Sequence, residues 1–262
     1  MHNFELVKPT SVADAVAALS GDEAQALGGG QTLIPTMKQR LNAPATLVST
    51  SAIAEMQGVS AAGGVLTVGG ATTHATVAGQ AAAHYPGLAA LAGQIGDPAV
   101  RNRGTIGGSL ANNDPAACYP AGALGSGATI VTNTREIAAD DFFQGMFDTA
   151  LDEGEIITSV NFPIPQASNY QKFLQPASRF ALTGVFVAKH ADGVRVAVTG
   201  ASEGGVFRWS EAEAALSADF SAGAVSGLSV PADGMITDLH GTAAYRAHLV
   251  GVMTARAVAA AG

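Results

Sequence analysis

Three consecutive glycines, Gly28 to Gly30, separate a short segment ending at Leu27 from the apolar residues Leu33 and Ile34. An ordered glycine loses more conformational entropy on folding than any other residue. Three together therefore indicate either a tight left-handed turn or a backbone that lies too close to another group for a side chain to fit. A second glycine-rich turn occupies residues 104–109. Any fold of this chain has to explain both turns.

The composition is that of a folded chain. Of the 262 residues, 48% are hydrophobic and only 13% are charged, which excludes a disordered protein. The length allows two domains or one large one. No apolar run reaches the roughly 18 residues that a membrane span requires, and the first residues lack the basic and apolar regions of a signal peptide. We therefore expect a cytoplasmic protein without a membrane span.

Several kinds of site are excluded by residue counts. The single cysteine, Cys118, allows neither an internal disulfide nor a four-thiolate metal or iron–sulfur site in this chain. The six histidines lack the spacing of a metal site, so we predict no bound metal. A net charge of −8 argues against nucleic-acid binding.

The pattern of elements predicts an α+β fold. Ser11 followed by Asp14 predicts a capped helix, and residues 24–27, 46–49, 65–68, 129–132 and 155–162 read as strands. After Pro163 the pattern becomes that of antiparallel strands, with a hairpin through Asp192 and Gly193. Two helices follow, near residues 211–216 and from 242 onward. We predict a domain boundary between residues 163 and 170.

Both glycine-rich turns lie beside hydroxyl or amide side chains. Neither carries the lysine of a P-loop, and neither has the spacing of the dinucleotide-binding fingerprint. Successive backbone N–H groups can nevertheless hold a phosphate where small residues leave the backbone accessible. Each turn alone is compatible with a plain tight turn. The two together predict a bound dinucleotide held through its diphosphate.

The residues around both turns resemble a known family. The segments 27–38 and 104–116 resemble the two FAD-binding loops of the medium, flavoprotein subunit of molybdenum hydroxylases, of the carbon monoxide dehydrogenase, xanthine dehydrogenase and aldehyde oxidoreductase types. The resemblance extends to residues 95–98, 142–145 and 244–246. It implies a two-part FAD-binding domain of the vanillyl-alcohol-oxidase-like type in residues 1–166, with subdomains of about 1–57 and 58–166. A C-terminal antiparallel sheet domain with helices would occupy residues 167–262.

The resemblance also implies which residues contact FAD. The two loops would hold the diphosphate, an aspartate would bind ribityl or ribose hydroxyls, and an aromatic side chain would lie near the isoalloxazine ring. The implied cofactor-binding residues are Leu27, Gly28, Gly29, Gly30, Gln31, Thr32, Leu33, Ala71, Thr72, Thr105, Ile106, Gly107, Gly108, Ser109, Asn113, Asp114 and Phe180. Valine at both Gly29 and Gly108 is expected to abolish FAD retention and to leave the chain folded.

Some of these residues have alternative interpretations. Asp114 before Pro115 could cap a helix, Thr72 could cap the helix that follows it, and Phe180 could be a core aromatic residue. Arg101 and Arg103 could neutralise phosphate, or could be solvated or paired with acids. Cys118 stands where relatives often have an aspartate, and a buried inert thiol is the simpler interpretation.

The function implied by the resemblance is electron transfer within a complex. No base, nucleophile or metal cluster suggests that this chain activates an organic substrate, so we predict no catalytic residue here. Substrate would be oxidised at a molybdopterin on a large partner, and two [2Fe-2S] clusters would lie on a small partner, in a dimer of heterotrimers. FAD would pass electrons to NAD, a quinone or oxygen. The alternatives are a stand-alone FAD-dependent oxidase and a flavin-free scaffold subunit.

Overall fold

The computed structural model describes residues 1–176 and 179–261, and its first sheet is small and parallel. The strands are β1 (Glu5–Val7), β2 (Ala24–Leu27) and β3 (Thr46–Ser49), in the order β1-β3-β2. Helix α1 (Val12–Leu19) joins β1 to β2, and the Asp14 amide donates to the Ser11 hydroxyl at 3.1 Å, as predicted. Helix α2 (Leu33–Lys38) follows the triple glycine, and 3-10 turns lie at Thr50–Ala52 and Ala54–Met56.

The second sheet is antiparallel and has five strands. These strands are β4 (Val59–Ala62), β5 (Val65–Gly69), β6 (Thr129–Thr132), β7 (Glu136–Ala138) and β10 (Ile157–Pro163), in the order β4-β5-β10-β6-β7. A small separate pair is formed by β8 (Phe143–Gly145) and β9 (Asp148–Thr149). The helices of this region are α3 (His74–Gln80), α4 (Pro86–Gly93), α5 (Pro98–Arg101), α6 (Ile106–Asn112), α7 (Cys118–Ser126) and α8 (Ala139–Phe142).

The third sheet is an antiparallel meander of four strands. They are β11 (Ala167–Lys172), β12 (Gly184–His190), β13 (Gly193–Ser202) and β14 (Gly205–Arg208), paired in sequence order. The predicted hairpin joins β12 to β13, with His190 opposite Gly193. Helix α9 (Ser210–Ala218), a 3-10 turn (Ala222–Val225) and helix α10 (Ala243–Ala260) complete the chain. No helix in the described ranges is long and apolar enough to cross a membrane.

The third sheet is buried on both faces. Phe186, Ala188 and Ala197 belong to the same apolar core as the residues of the second sheet and of α7. The opposite face packs on α9 and α10 through residues such as Val196 and Trp209. One core therefore crosses the predicted boundary between residues 163 and 170, and the division into domains stays a prediction.

Candidate cofactor site

A cavity of about 580 Å³ lies between the three sheets. Its walls include the loop after β2, the beginning of α6, and side chains from the second and third sheets. The volume is within the range of about 300 to 1,000 Å³ that is typical of small-molecule and cofactor sites. Both glycine-rich turns line this cavity.

The two turns lie directly against each other. A Cβ on Gly29 would overlap the backbone carbonyl of Arg103, and a Cβ on Gly28 would lie 2.7 Å from the Thr105 hydroxyl. Gly30 has a φ of +71°, in the left-handed region that favours glycine. The triple glycine therefore has both features that the sequence offered as alternatives. Gly30 adopts a left-handed turn, and the backbone at Gly29 lies too close to another group for a side chain to fit. The group that approaches Gly29 is the second turn itself.

The first turn presents a row of unpaired backbone donors. In the described part of the chain, the amides of Gly29, Gly30, Gln31 and Thr32 donate to no backbone or side-chain acceptor. The Gln31 side chain folds back and donates to the Gly29 carbonyl at 3.1 Å. Successive free amides of this kind form a concavity suited to an anion.

The second turn uses its amides within the protein. The Ile106 amide donates to the Thr72 carbonyl at 3.1 Å, and the Gly107 amide donates to the Gly70 carbonyl at 2.9 Å. The Gly108 amide donates to the Thr105 hydroxyl at 3.2 Å, which caps α6. The Ser109 amide bonds to the Thr105 carbonyl at 3.0 Å. What this turn offers a ligand is therefore mainly its hydroxyl groups and its shape.

Comparison with known proteins identifies the family. A family model described as the FAD binding domain in molybdopterin dehydrogenase matches residues 2–165. The chain belongs to this family. The cofactor is accordingly FAD, and the chain is an oxidoreductase component; the resemblance found in the two loops is confirmed.

Individual relatives match along almost their whole length. The nicotine 6-hydroxylase medium subunit of Paenarthrobacter nicotinovorans is 34% identical over 271 residues, which cover 97% of this chain and 95% of the relative. The carbon monoxide dehydrogenase medium chain of Afipia carboxidovorans is 31% identical over 279 residues, covering 98% and 96%. A solved structure of reconstituted CO dehydrogenase from Oligotropha carboxidovorans matches with a TM-score of 0.89 at 30% identity, covering 98% of this chain and 97% of that one. The mixed helix-and-sheet fold is therefore shared with CO dehydrogenase.

Most of the residues expected to contact FAD surround this cavity. Its lining includes Leu27, Gly28, Gly29, Gly30, Gln31, Thr32, Leu33, Thr105, Gly107, Gly108, Ser109, Asp114 and Phe180. Because these residues come from three separate parts of the sequence, 27–33, 105–114 and 180, the fold brings together what the resemblance predicts. Their contact with FAD itself stays a prediction.

Four expected residues do not line the cavity. Ala71 packs in the small core beside the first sheet, and Ile106 is fully buried in the main core. The Thr72 hydroxyl donates to the Gly58 carbonyl at 3.1 Å and accepts from its amide at 2.9 Å. It does not cap α3, because Thr73 does. Asn113 uses its side-chain amide to hold the turn between β8 and β9.

The alternative interpretations of Asp114 and Phe180 are wrong. No helix begins at Pro115; the Asp114 carboxylate accepts from the Ala116 amide at 2.9 Å, and α7 begins only at Cys118. Burial raises the pKa of Asp114, and the bond from Ala116 opposes that rise. Phe180 is 53% exposed and lines the cavity, so it is not a core residue.

The two arginines before the second turn differ. Arg101 donates to the Ile95 and Gly96 carbonyls, both at 3.1 Å, and so holds the loop between α4 and α5. Arg103 is exposed, and its carbonyl lies against Gly29. Neither arginine is paired with an acid in the described structure.

Among the polar residues of the cavity wall that sequence reasoning missed are His74 and Lys172. His74 is 5% exposed, and burial, followed by the charge of Arg101, lowers its pKa to about 4. Lys172, at the end of β11, is also buried and donates to the Gln94 carbonyl at 3.0 Å. No motif surrounds either residue, so only the fold reveals them. Cys118 is a buried free thiol, as expected, and it too lines the cavity.

The site has no metal-ligating character. Within residues 1–176 and 179–261 there is no group of three or more His, Cys, Asp or Glu side chains that could hold a metal ion. The walls suit instead a ligand with an anionic part and an apolar part, because the amides of the first turn and the side chains of Ile95, Ile156 and Ile157 line the same cavity.

Proposed function

We propose that this chain is the FAD-binding electron-transfer subunit of a heterotrimeric molybdenum hydroxylase. In this assembly a large partner oxidises the substrate at a molybdopterin centre, and a small partner carries two [2Fe-2S] clusters. FAD, when bound, supplies the redox chemistry that links those clusters to an external acceptor. Support comes from family membership and from relatives that are named medium chain or medium subunit.

The observation that carries the proposal is the row of four amides from Gly29 to Thr32, which donate to no acceptor among residues 1–176 and 179–261. They would bind the FAD diphosphate, since backbone N–H groups that need no rearrangement are strong donors to a charged oxygen. The Thr105 and Ser109 hydroxyls would add two donors from the facing turn. Asp114, which lines the same cavity, would accept from ribityl or ribose hydroxyls.

The residues of this chain bind and orient the cofactor without activating a substrate. Among the described residues, the two cavity-lining groups with a raised or lowered pKa that lack an ion-pair partner are Asp114 and His74. His74 is neutral above pH of about 4, and it supports the second turn through its amide, which donates to the Gly104 carbonyl at 2.9 Å. Substrate specificity would therefore belong to the large partner.

We further propose that the FAD-binding part is built from two lobes of the vanillyl-alcohol-oxidase-like type, about 1–57 and 58–166. The parallel first sheet and the antiparallel second sheet support this division, because the cavity lies between them. A dimer of heterotrimers and a cytoplasmic location complete the proposal. The acceptor would be a small molecule such as NAD, a quinone or oxygen.

One amide can be removed selectively to test the proposal. The Ile34 amide donates to the Gly30 carbonyl, which makes Gln31 the first residue of a helical turn, where proline is tolerated. Gln31→Pro removes the amide, and Gln31→Ala keeps it. Loss of one charge-assisted hydrogen bond predicts an FAD Kd raised about tenfold to about a hundredfold in the proline variant only.

FAD affinity would be measured by flavin fluorescence titration of the full-length apoprotein. Equal affinity of the proline and alanine variants would remove the amide row from the proposed site. A wild-type chain that takes up no FAD would favour the flavin-free scaffold. Turnover of an alcohol or amine by the chain without partners would favour the stand-alone oxidase.

A further inference from the structure

An exposed aromatic residue stands at the cavity wall in a strained conformation. Phe147 has a φ of +57°, which is rare for a bulky side chain, and it is 57% exposed while lining the cavity. Neither property stabilises the free protein. Strained residues of this kind persist where the surrounding structure imposes them, and they concentrate at ligand sites.

A single buried residue holds the turn that contains Phe147. Asn113 is 1% exposed, and its side-chain amide donates to the Gly145 carbonyl at 2.7 Å and to the Asp148 carbonyl at 2.8 Å. The Phe147 amide donates in turn to the Asn113 carbonyl at 3.1 Å. Three hydrogen bonds thus fix the turn between β8 and β9 to the end of α6, next to Asp114.

The backbone of Asn113 is itself left-handed, with a φ of +41°. Asparagine tolerates this region better than most residues, and it ends α6 there. The residue next to a predicted FAD ligand is therefore specialised for placing Phe147. Of the side chains at positions 145–148, only that of Phe147 lines the cavity.

We propose that Phe147 packs against the isoalloxazine ring of bound FAD and that Asn113 is the residue that positions it. Leu151, Ile156 and Ile157 line the same cavity and give it the apolar surface that suits the flavin ring better than the sugar or phosphate. Aromatic rings pack favourably on one another in offset or edge-on arrangements. The exposed ring of Phe147 would become covered when FAD binds.

Two substitutions of Phe147 separate a ligand contact from a structural role. Phe147→Asn removes the ring and places a residue that accepts a positive φ. The apoprotein should then melt at the same or a higher temperature, and the FAD Kd should rise about tenfold. Leu41→Asn is the matched control, because Leu41 is 74% exposed and lies outside the cavity. The control should leave FAD affinity unchanged.

Phe147→Trp identifies which end of FAD is contacted. An indole packed on the isoalloxazine ring quenches flavin fluorescence, so the bound flavin should fluoresce less than in the wild type. In this background, Asn113→Gly keeps the left-handed backbone and removes the side-chain amide. That second substitution should restore much of the lost fluorescence, because the turn is released.

Phe147 can contact FAD only if the proposed site binds FAD, and the wild-type titration tests that point separately. With wild-type binding established, the inference is overturned by a lower melting temperature with unchanged FAD affinity in Phe147→Asn. Weaker binding in Phe147→Asn without quenching in Phe147→Trp would also overturn it, and would assign Phe147 to the adenine end.

Discussion

The two glycine-rich turns have similar compositions and different uses. In the first turn, the amides of Gly29 to Thr32 have no partner in the described structure, and Gly30 supplies the left-handed turn. In the second, the amides of Ile106 to Ser109 are all bonded within the protein. The first turn therefore has donors available for an anion. The second turn is fixed by its own hydrogen bonds, and the first turn packs against it.

This difference shows why glycine content alone does not identify a phosphate site. Gly107 is needed because a Cβ there would lie 2.6 Å from the Gly70 carbonyl, and Gly104 because a Cβ would lie 2.5 Å from the His74 ring. Both contacts are internal to the protein. Gly108 differs from these, because it is exposed and a Cβ would meet only the Thr105 hydroxyl, at 3.0 Å.

The largest expected effect is that of a side chain at Gly29. Gly29→Ala places a Cβ on the Arg103 carbonyl, so the two turns must separate. We expect a loss of about 3 kcal/mol in the free energy of unfolding, which lowers Tm by roughly 10 °C, and loss of bound FAD. The measurements are thermal unfolding of the apoprotein and FAD content after gel filtration.

Gly108→Ala is the matched control for that substitution. Gly108 lies in α6 and can accept a Cβ if the Thr105 side chain moves slightly, so we expect a change within about 1 kcal/mol. The expectation that valine at both glycines leaves the chain folded stays a prediction, and the contact with the Arg103 carbonyl places most of the expected destabilisation at Gly29. Equal destabilisation by alanine at the two positions would contradict the distinction between the turns.

Acid should destabilise the folded chain through His74, whose amide supports the second turn. The pKa of His74 falls from its ordinary value of 6.5 to about 4 in the folded chain, so the unfolded chain binds more protons between these values. Stability therefore decreases as pH falls through 6.5 toward 4, by at most about 3 kcal/mol in total, and the effect is complete below pH 4.

His74→Gln isolates this contribution, because glutamine does not titrate. The difference in unfolding free energy between wild type and variant should shift with pH only in that window, as measured by urea denaturation of the apoprotein at pH 7.5, 5.5 and 4.5. A constant difference across these three pH values would show that His74 is protonated to the same extent in the folded and unfolded states.

The sequence predicts a helix or strand well where residues close together in the sequence mark it. Strand β2 and the cap of α1 agree with the prediction, and the cap is a local signal because Ser11 and Asp14 are only three residues apart. Helix α7 was missed, since every residue from Cys118 to Ser126 is buried and no polar face marks its period. Its glycines also argue against a helix, although Gly125 is needed because a Cβ there would lie 2.9 Å from Phe186.

The cavity-lining residues, too, can be predicted from the sequence only where a local motif marks them. The resemblance points to the two turns as FAD-binding loops, because sequence motifs are contiguous, and both turns line the cavity. It does not show that Asn113 serves a turn more than thirty residues away, with its bond to Gly145. It also gives no indication of His74 or Lys172, whose positions depend on how sheets and helices pack.

The smallest expected effect is on FAD affinity, and it tests whether a hydroxyl group of the second turn binds the cofactor. The Ser109 hydroxyl has no hydrogen-bond partner in the described structure, and Ser109 lines the cavity. Ser109→Ala should raise the FAD Kd about fivefold, the value of one ordinary hydrogen bond, and should leave the Tm of the apoprotein unchanged. Ser109→Thr keeps a hydroxyl and should bind FAD like the wild type. If alanine at this position weakens binding as much as Gln31→Pro does, the second turn is an equal partner in holding the diphosphate, and the free amides of the first turn are not what distinguishes them.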